Sequence, residues 1–137
     1  MTKSLLDLLM ELKRGCMEDE KQIQSICHIS LAEYKGILEI EMGENITCNT
    51  LSQKMGLSPS RGSRVIDGLV RKGYFIRSDH PSDRRSYFIS LSNDGLKIRR
   101  QIYQEKKRYE ARINERFSKD ELEQIKDALN LISDIFN

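Results

Sequence analysis

The punctuation at residues 55–59 limits what this chain can fold into more than any other feature. Leu51 and Met55 recur at i and i+4, the spacing of a short helix with one buried face, and Gly56 stops that helix. Leu57 points inward. Ser58 and Pro59 then open a second helix, with serine at the N-cap and proline in the first turn. This helix runs to about Lys72, where Gly73 caps it. Tyr74-Phe75-Ile76-Arg77 reads as a strand, residues 79–86 (DHPSDRRS) as a polar loop, and residues 87–91 (YFISL) as the returning strand, with Tyr87, Ile89 and Leu91 on one face. The middle of the chain is therefore helix, turn, helix and β-hairpin.

Helices frame this middle on both sides. Over residues 4–27, Leu5, Leu9, Leu12, Cys16, Ile23 and Ile26 recur in steps of three and four, interrupted by Asp19. One long helix is expected there, with Gly15 tolerated at a cost of ~1 kcal/mol. Ser30 and Glu33 form a capping box for a second helix carrying Leu31, Tyr34, Ile37, Leu38 and Glu41 and ending near Gly43. Thr47 and Cys48 read as a short extended entry, with Asn49 or Thr50 capping the Leu51 helix. Ser92 or Asn93 caps a long helix to about Phe117, with Leu96, Ile102, Tyr109 and Ile113 inward. Ser118 and Glu121 form a further capping box, and Leu122, Ile125, Leu129, Ile132 and Phe136 make a 3-4-3-4 stripe behind it.

At 137 residues the chain is near the modal size of one domain, and no repeat or low-complexity linker divides it. No apolar run approaches the ~20 residues of a membrane-spanning helix. The first twelve residues carry Asp7 and Glu11 and lack a basic start, so no secretion leader is expected. Three scattered cysteines exclude a disulfide framework and point to a reducing compartment, the cytoplasm. No GxSxG, P-loop, GxGxxG, HExxH or paired CxxC signature is present, and an enzyme reading has nothing positive behind it.

Charge is unevenly placed. Residues 1–46 hold 5 basic and 9 acidic side chains, residues 47–100 hold 11 and 4, and residues 101–137 hold 7 and 8. A basic middle between acidic or neutral ends is the footprint of a nucleic-acid reader. Within it, Gly62, Val65, Ile66, Leu69 and Val70 share the inner side of the second helix. Ser60, Arg61, Arg64, Asp67 and Arg71 lie largely on the other side, with Ser63 at its edge. Such a face suits a major groove, where arginine reaches guanine O6 and N7. Ser58, Ser60 and the helix N-terminus suit phosphates. Arg84 and Arg85 at the hairpin tip suit a minor groove, with Asp83 pairing with and orienting a guanidinium.

The stretch TCNTLSQKMGLSPSRGSRVIDGLVRKGYF followed by RSDHPSDRRSYFISLSNDG resembles the helix-turn-helix and wing of the MarR family of winged-helix regulators. Asp83-Arg84-Arg85 matches that family's D-x-R wing motif, and Leu91-Ser92-x-x-Gly95 matches its L-[TS]-x-x-G exit. Gly62 stands where a larger apolar residue is usual, and Gly68 is a second glycine in the same helix. Either a backbone comes close there or the helix firms up on DNA. The resemblance implies a mainly α fold with a small β-hairpin wing: a winged helix-turn-helix (30–95) flanked by N- and C-terminal dimerisation helices (1–29 and 96–137) in one domain. It implies a homodimer, mostly of the repressor kind, that reads a pseudo-palindrome in double-stranded DNA. The apolar stripes Leu5, Leu9, Leu12 and Leu122, Ile125, Leu129, Ile132, Phe136 would form the dimer. It also implies release by a small aromatic ligand, for which Tyr34, Tyr103 and Tyr109 are candidates alongside a plain core role. Two alternatives stand. One is a redox- or metal-responsive regulator using Cys16, Cys27, Cys48 or the Cys27-His28 pair. The other is a winged-helix protein-interaction module, which the arginines of the wing oppose. Balanced local charge and a place on the apolar stripe make Cys16 an expected buried, inert thiol. No cofactor is expected, and His80 in the wing is expected to face phosphate or solvent.

Overall fold

A computed structural model describes residues 2–137, so Met1, where the expected N-terminal segment begins, lies outside the description. The described residues form α1 (Leu5–Cys27), α2 (Leu31–Leu38), β1 (Ile46–Thr47), α3 (Cys48–Lys54), α4 (Pro59–Arg71), β2 (Phe75–Asp79), β3 (Tyr87–Leu91), α5 (Asn93–Asn114) and α6 (Lys119–Ser133). The strands make one antiparallel sheet in the order β1-β3-β2. The mainly α architecture with a small hairpin wing is as the sequence leads one to expect. Residues up to Tyr103 form one compact unit and Gln104–Asn137 a second.

Caps set most boundaries in the first unit. Ser4 with Asp7 and Ser30 with Glu33 are complete capping boxes, and Ser58 caps α4 with Pro59 in its first turn. Several boundaries are shifted from expectation, β2 among them, which runs Phe75–Asp79 rather than 74–77. α2 stops at Leu38, because Ile40 turns into the core and the Glu44 carboxylate accepts from the Glu41 N–H at 2.9 Å. Cys48 is helical and Thr47 is the cap, its Oγ1 accepting from the Thr50 N–H at 3.2 Å. The extended entry is a true strand, β1, in which Ile46 pairs with Ile89 of β3.

The core of this unit gathers Ile37 and Ile40, Leu51 of α3, Ile66 and Leu69 of α4, Ile89 of β3 and Ile102 of α5, all essentially inaccessible. Two glycines govern how closely the elements approach. A Cβ on Gly62 would overlap the Ser52 side chain and stand 3.0 Å from the Ser52 Cα, so α4 lies directly on α3. Ser52 is itself buried, and its hydroxyl donates to the Cys48 carbonyl at 2.8 Å. A Cβ on Gly95 would overlap the Tyr74 carbonyl. There the Ser92 hydroxyl donates to the Gly73 carbonyl and accepts from the Gly95 N–H at 3.0 Å, while the Ser92 N–H reaches the Tyr74 carbonyl at 3.0 Å. Lys72 and Glu33 tie the end of α4 to the start of α2 at 2.8 Å. Burial alone would raise the Glu33 carboxyl, but the hydrogen bonds from Lys72 and Ser30 hold it below the usual carboxylate range.

Periodicity correctly groups the residues of α1 but overstates their burial. Ile23 and Cys27 are buried, whereas Leu5, Leu12 and Cys16 are exposed, and Ile26, in the last turn, is exposed because it lies on another side of the helix from Ile23 and Cys27. Cys16 is therefore not the buried thiol expected. In the second unit Ile113 is exposed rather than inward. Ser118 and Glu121 cap α6 as expected, and the Leu122–Phe136 stripe is partly or fully exposed, with Phe136 beyond the helix end.

The glycine environments give opposite expectations for one substitution. Gly62→Ala should lower stability by about 1–3 kcal/mol through overpacking against Ser52. Gly68→Ala, with nothing within 4 Å of its Cβ, should raise it by about 0.5–1 kcal/mol through helix propensity. Urea titration of the two variants against wild type measures both.

Candidate nucleic-acid interface

The N-terminal half of α4 presents Ser60, Arg61 and Arg64 to solvent and half-exposes Ser63, while Gly62, Ile66 and Leu69 face inward. The division follows from 3.6-residue periodicity and matches the expected one. Ser58 is already in use: its Oγ accepts from the Arg61 N–H at 3.3 Å, and it lies 3.4 Å from the Ser60 hydroxyl. Any phosphate contact by Ser58 would compete with its cap.

The wing is the β2–β3 hairpin. Its ladder runs from Phe75 opposite Leu91 to Asp79 opposite Tyr87, and residues 80–86 form the tip. Arg84 and Arg85 are exposed there. Asp83 does not pair with a guanidinium as expected. Its carboxylate accepts from the Arg85 N–H at 2.9 Å and its carbonyl from the Ser86 N–H at 3.2 Å. A short carboxylate two residues before an N–H closes a turn locally, at less entropic cost than holding a long arginine side chain. Asp83 thus shapes the backbone that carries the arginines. His80 is half-exposed and has local partners besides. Its ring stacks on Phe88 at 4.9 Å, and its Nδ1 accepts from the Ser82 N–H at 3.2 Å.

Between α4 and the wing lies a cleft of about 310 Å³ lined by Asn49, Ser60, Ser63, Arg85, Ser86 and Tyr87, with Cys48 and Pro59 completing its wall. It brings the expected Ser60, Ser63 and Arg85 together. Asn49, Ser86 and Tyr87 escape the sequence reading. Asn49 is assigned there to a cap, and the signal that releases it is Thr47, which can cap the same helix one turn earlier relative to Thr50. Behind the cleft, the Cys48 Sγ–H donates to the Tyr87 hydroxyl at 3.2 Å. The Arg77 guanidinium lies 3.8 Å from the centre of the Tyr87 ring and 3.4 Å from the Asp67 carboxylate of α4.

The tyrosines expected around a ligand are divided between the two units, Tyr34 and Tyr103 in the first and Tyr109 in the second. Tyr34 is 3% exposed, and burial, then the negative charge of Glu20, push its hydroxyl up to about 12. Tyr103 is near enough to act on Tyr34 electrostatically and carries the Arg99 guanidinium 4.9 Å above its ring. Tyr109 belongs to the second unit, with Arg112 at 5.5 Å. His28 follows Cys27 as the left-handed C-cap of α1. Among the described residues no three His, Cys, Asp or Glu side chains converge as metal ligands, and no helix is long and apolar enough to cross a membrane.

Residues 29–87 match the model of the MarR family. The HTH-type regulator YfiV of Bacillus subtilis, itself uncharacterized, is 26% identical over 105 residues, covering 77% of this chain and 66% of its own. The chain spans less than two thirds of the length of the curated relatives it matches. Among solved structures, a mutant of MepR from S. aureus superposes with a TM-score of 0.85 at 17% identity, over 98% of this chain and 100% of that one. NadR in complex with 4-hydroxyphenylacetate superposes with a TM-score of 0.70 at 19% identity, over 96% and 94%. The curated relatives it matches are named as HTH-type transcriptional regulators, and the likeness to the solved structures is one of fold.

The role of Asp83 has a direct check. Asp83→Ala should speed hydrogen exchange of the Arg85 amide several-fold, whereas Asp83→Asn, which keeps an acceptor at the same place, should leave it at the wild-type rate.

Proposed function

We propose, from the MarR-family domain at residues 29–87, that this chain is a sequence-specific DNA-binding transcription regulator of the cytoplasm. It acts as a homodimeric repressor of a pseudo-palindromic operator in double-stranded DNA. One observation carries the reading: Arg85 of the wing and Ser60 and Ser63 of α4 border one cleft, with Arg61 and Arg64 exposed on the same helix. A helix face bearing Ser and Arg beside a loop bearing Arg matches a major groove and its flanking backbone or minor groove. Residues 30–95 supply this surface.

The dimer is proposed from apolar surface. Leu5 and Leu12 of α1, half-exposed Leu9, Leu129 at 45% exposure and Phe136 at 78% present faces that a single chain leaves in water. Leu122, Ile125 and Ile132 extend the α6 face. Burying these faces against a second copy of residues 1–29 and 96–137 removes that cost and sets two wings apart on a two-fold axis. Relief of repression by a small aromatic ligand is proposed by likeness to NadR, whose structure holds such a molecule. Tyr34 and Tyr103 of the first unit are the side chains proposed to meet it, with Tyr109 of the second unit a candidate in its own right. A panel of phenolic acids added to the DNA complex tests this, release being the expected result.

Selection of bound DNA from a random pool tests the function as a whole, and recovery of an inverted repeat is expected. On that sequence Arg85→Ala should weaken binding and lower the salt-dependence slope by about 1. Arg61→Ala or Arg64→Ala should cost about 1–3 kcal/mol on the best site and relax preference at one base position. Titrations at several salt concentrations separate the two kinds of contact.

Leu129→Asp should yield a monomer or an aggregate that does not hold the full repeat. Sedimentation together with the same DNA titration decides it. A folded monomer with wild-type affinity for the repeat would remove the dimer from the reading.

A further inference from the structure

We infer that Tyr87 is a positioning residue for DNA recognition: with Arg77, Asp67 and Cys48 it fixes the wing against α4, so that Arg85 meets DNA while α4 occupies its groove. The inference rests on the DNA-binding reading above and adds the groups that hold its two contact regions in register.

Each of four elements contributes one residue. Cys48 is the first residue of α3, Asp67 lies in α4, Arg77 is the middle residue of β2 and Tyr87 is the first of β3. They contact one another in series. The Cys48 thiol donates to the Tyr87 hydroxyl at 3.2 Å, the Arg77 guanidinium lies 3.8 Å from the Tyr87 ring centre, and Arg77 Nη2 stands 3.4 Å from Asp67 Oδ1. Arg77 pairs with Ile89 in the ladder, and Tyr87 is two residues from Ile89, so the two side chains are diagonal neighbours on one face. Arg77 is thus held between a ring on its own sheet and a carboxylate on the recognition helix.

Leverage makes Tyr87 the residue that matters. Asp79 opposite Tyr87 is the last rung of the ladder before the tip, and Arg85 stands only two residues beyond it. Anchoring Tyr87 to α3 and, through Arg77, to α4 fixes the base from which Arg85 extends. Tyr87 and Arg85 also border the same cleft as Ser60 and Ser63. The Asp67–Arg77 pair is half exposed and by itself weak. The guanidinium over the Tyr87 ring and the thiol contact supply the orientation that a lone ion pair lacks.

Hydrogen exchange and a mutant cycle on the full chain test the inference. In the free protein, Tyr87→Ala should speed exchange of the amides of residues 84–88 by roughly tenfold, with α3 and α4 amides and the melting temperature near wild type. Tyr87→Phe, which keeps the ring beneath Arg77 but loses the hydroxyl that accepts from Cys48, should restore exchange only in part. On the selected DNA, Arg85→Ala should cost several-fold in affinity in the wild-type background but less than about twofold in Tyr87→Ala. If Tyr87→Ala does not fold, Arg77→Met gives the same two readouts. Unchanged wing exchange overturns the inference, and so does an Arg85→Ala loss that is the same in both backgrounds. A wild-type protein that selects no DNA overturns the proposed function instead, and the exchange measurement then still decides whether Tyr87 holds the wing.

Discussion

The approach of α4 to α3 at Gly62 is the constraint on which the rest of the winged unit depends. Ser52 is buried at that crossing, and a buried hydroxyl without a partner would be costly. It donates instead to the Cys48 carbonyl of its own helix, so it asks nothing of α4. With no side chain at Gly62, the α4 backbone rests on Ser52 itself. Ile66 and Leu69 then reach the core, and Arg61 and Arg64 are turned outward by the same rotation. One missing methyl group thereby aims the arginines. The glycine that looks unfavourable for helix formation is needed for helix contact, and its propensity cost is the smaller effect.

A second close approach, at Gly95, fastens the other side of the wing. Ser92 engages both Gly73 and Tyr74, the residues that lead out of α4, at the point where β3 passes into α5. Both ends of the hairpin are thus fixed to one turn of chain. The wing root is held on one side by this joint and on the other by the series from Cys48 to Asp67. The exit pattern Leu91-Ser92-x-x-Gly95 has a physical content here: a hydroxyl for two hydrogen bonds and a gap for a carbonyl.

Local chemistry was legible in the sequence, and chemistry that depends on distant partners was not. Ser30 with Glu33, Ser58 with Pro59, and Ser118 with Glu121 mark their helix starts, because a cap needs only its own first turn. β1 is two residues long and exists through Ile46 meeting Ile89, which no local pattern announces. Periodicity states which residues share a face but not whether anything covers it, so Cys16 and Ile113 were expected inside and lie outside. At the candidate interface, the outward face of α4 and the exposed wing arginines could be read from residue types. The turn-closing role of Asp83, the stacking of His80 on Phe88 and the place of Tyr87 could not. Each depends on which of several chemically competent partners the backbone brings nearest.

The joint at Ser92 and Gly95 also bears on how such a molecule can change. Because both ends of the hairpin are fastened to the same turn, the framework brings the ends of residues 80–86 together, and Asp83 shapes only the turn within them. Doubling the length of such a loop costs only about 0.6 kcal/mol in closure entropy. Tip residues can therefore be exchanged, lengthened or recharged with little effect on the core beneath them. The exposed tip is mechanically insulated from the part that folds, which leaves its sequence free to drift while stability stays in place.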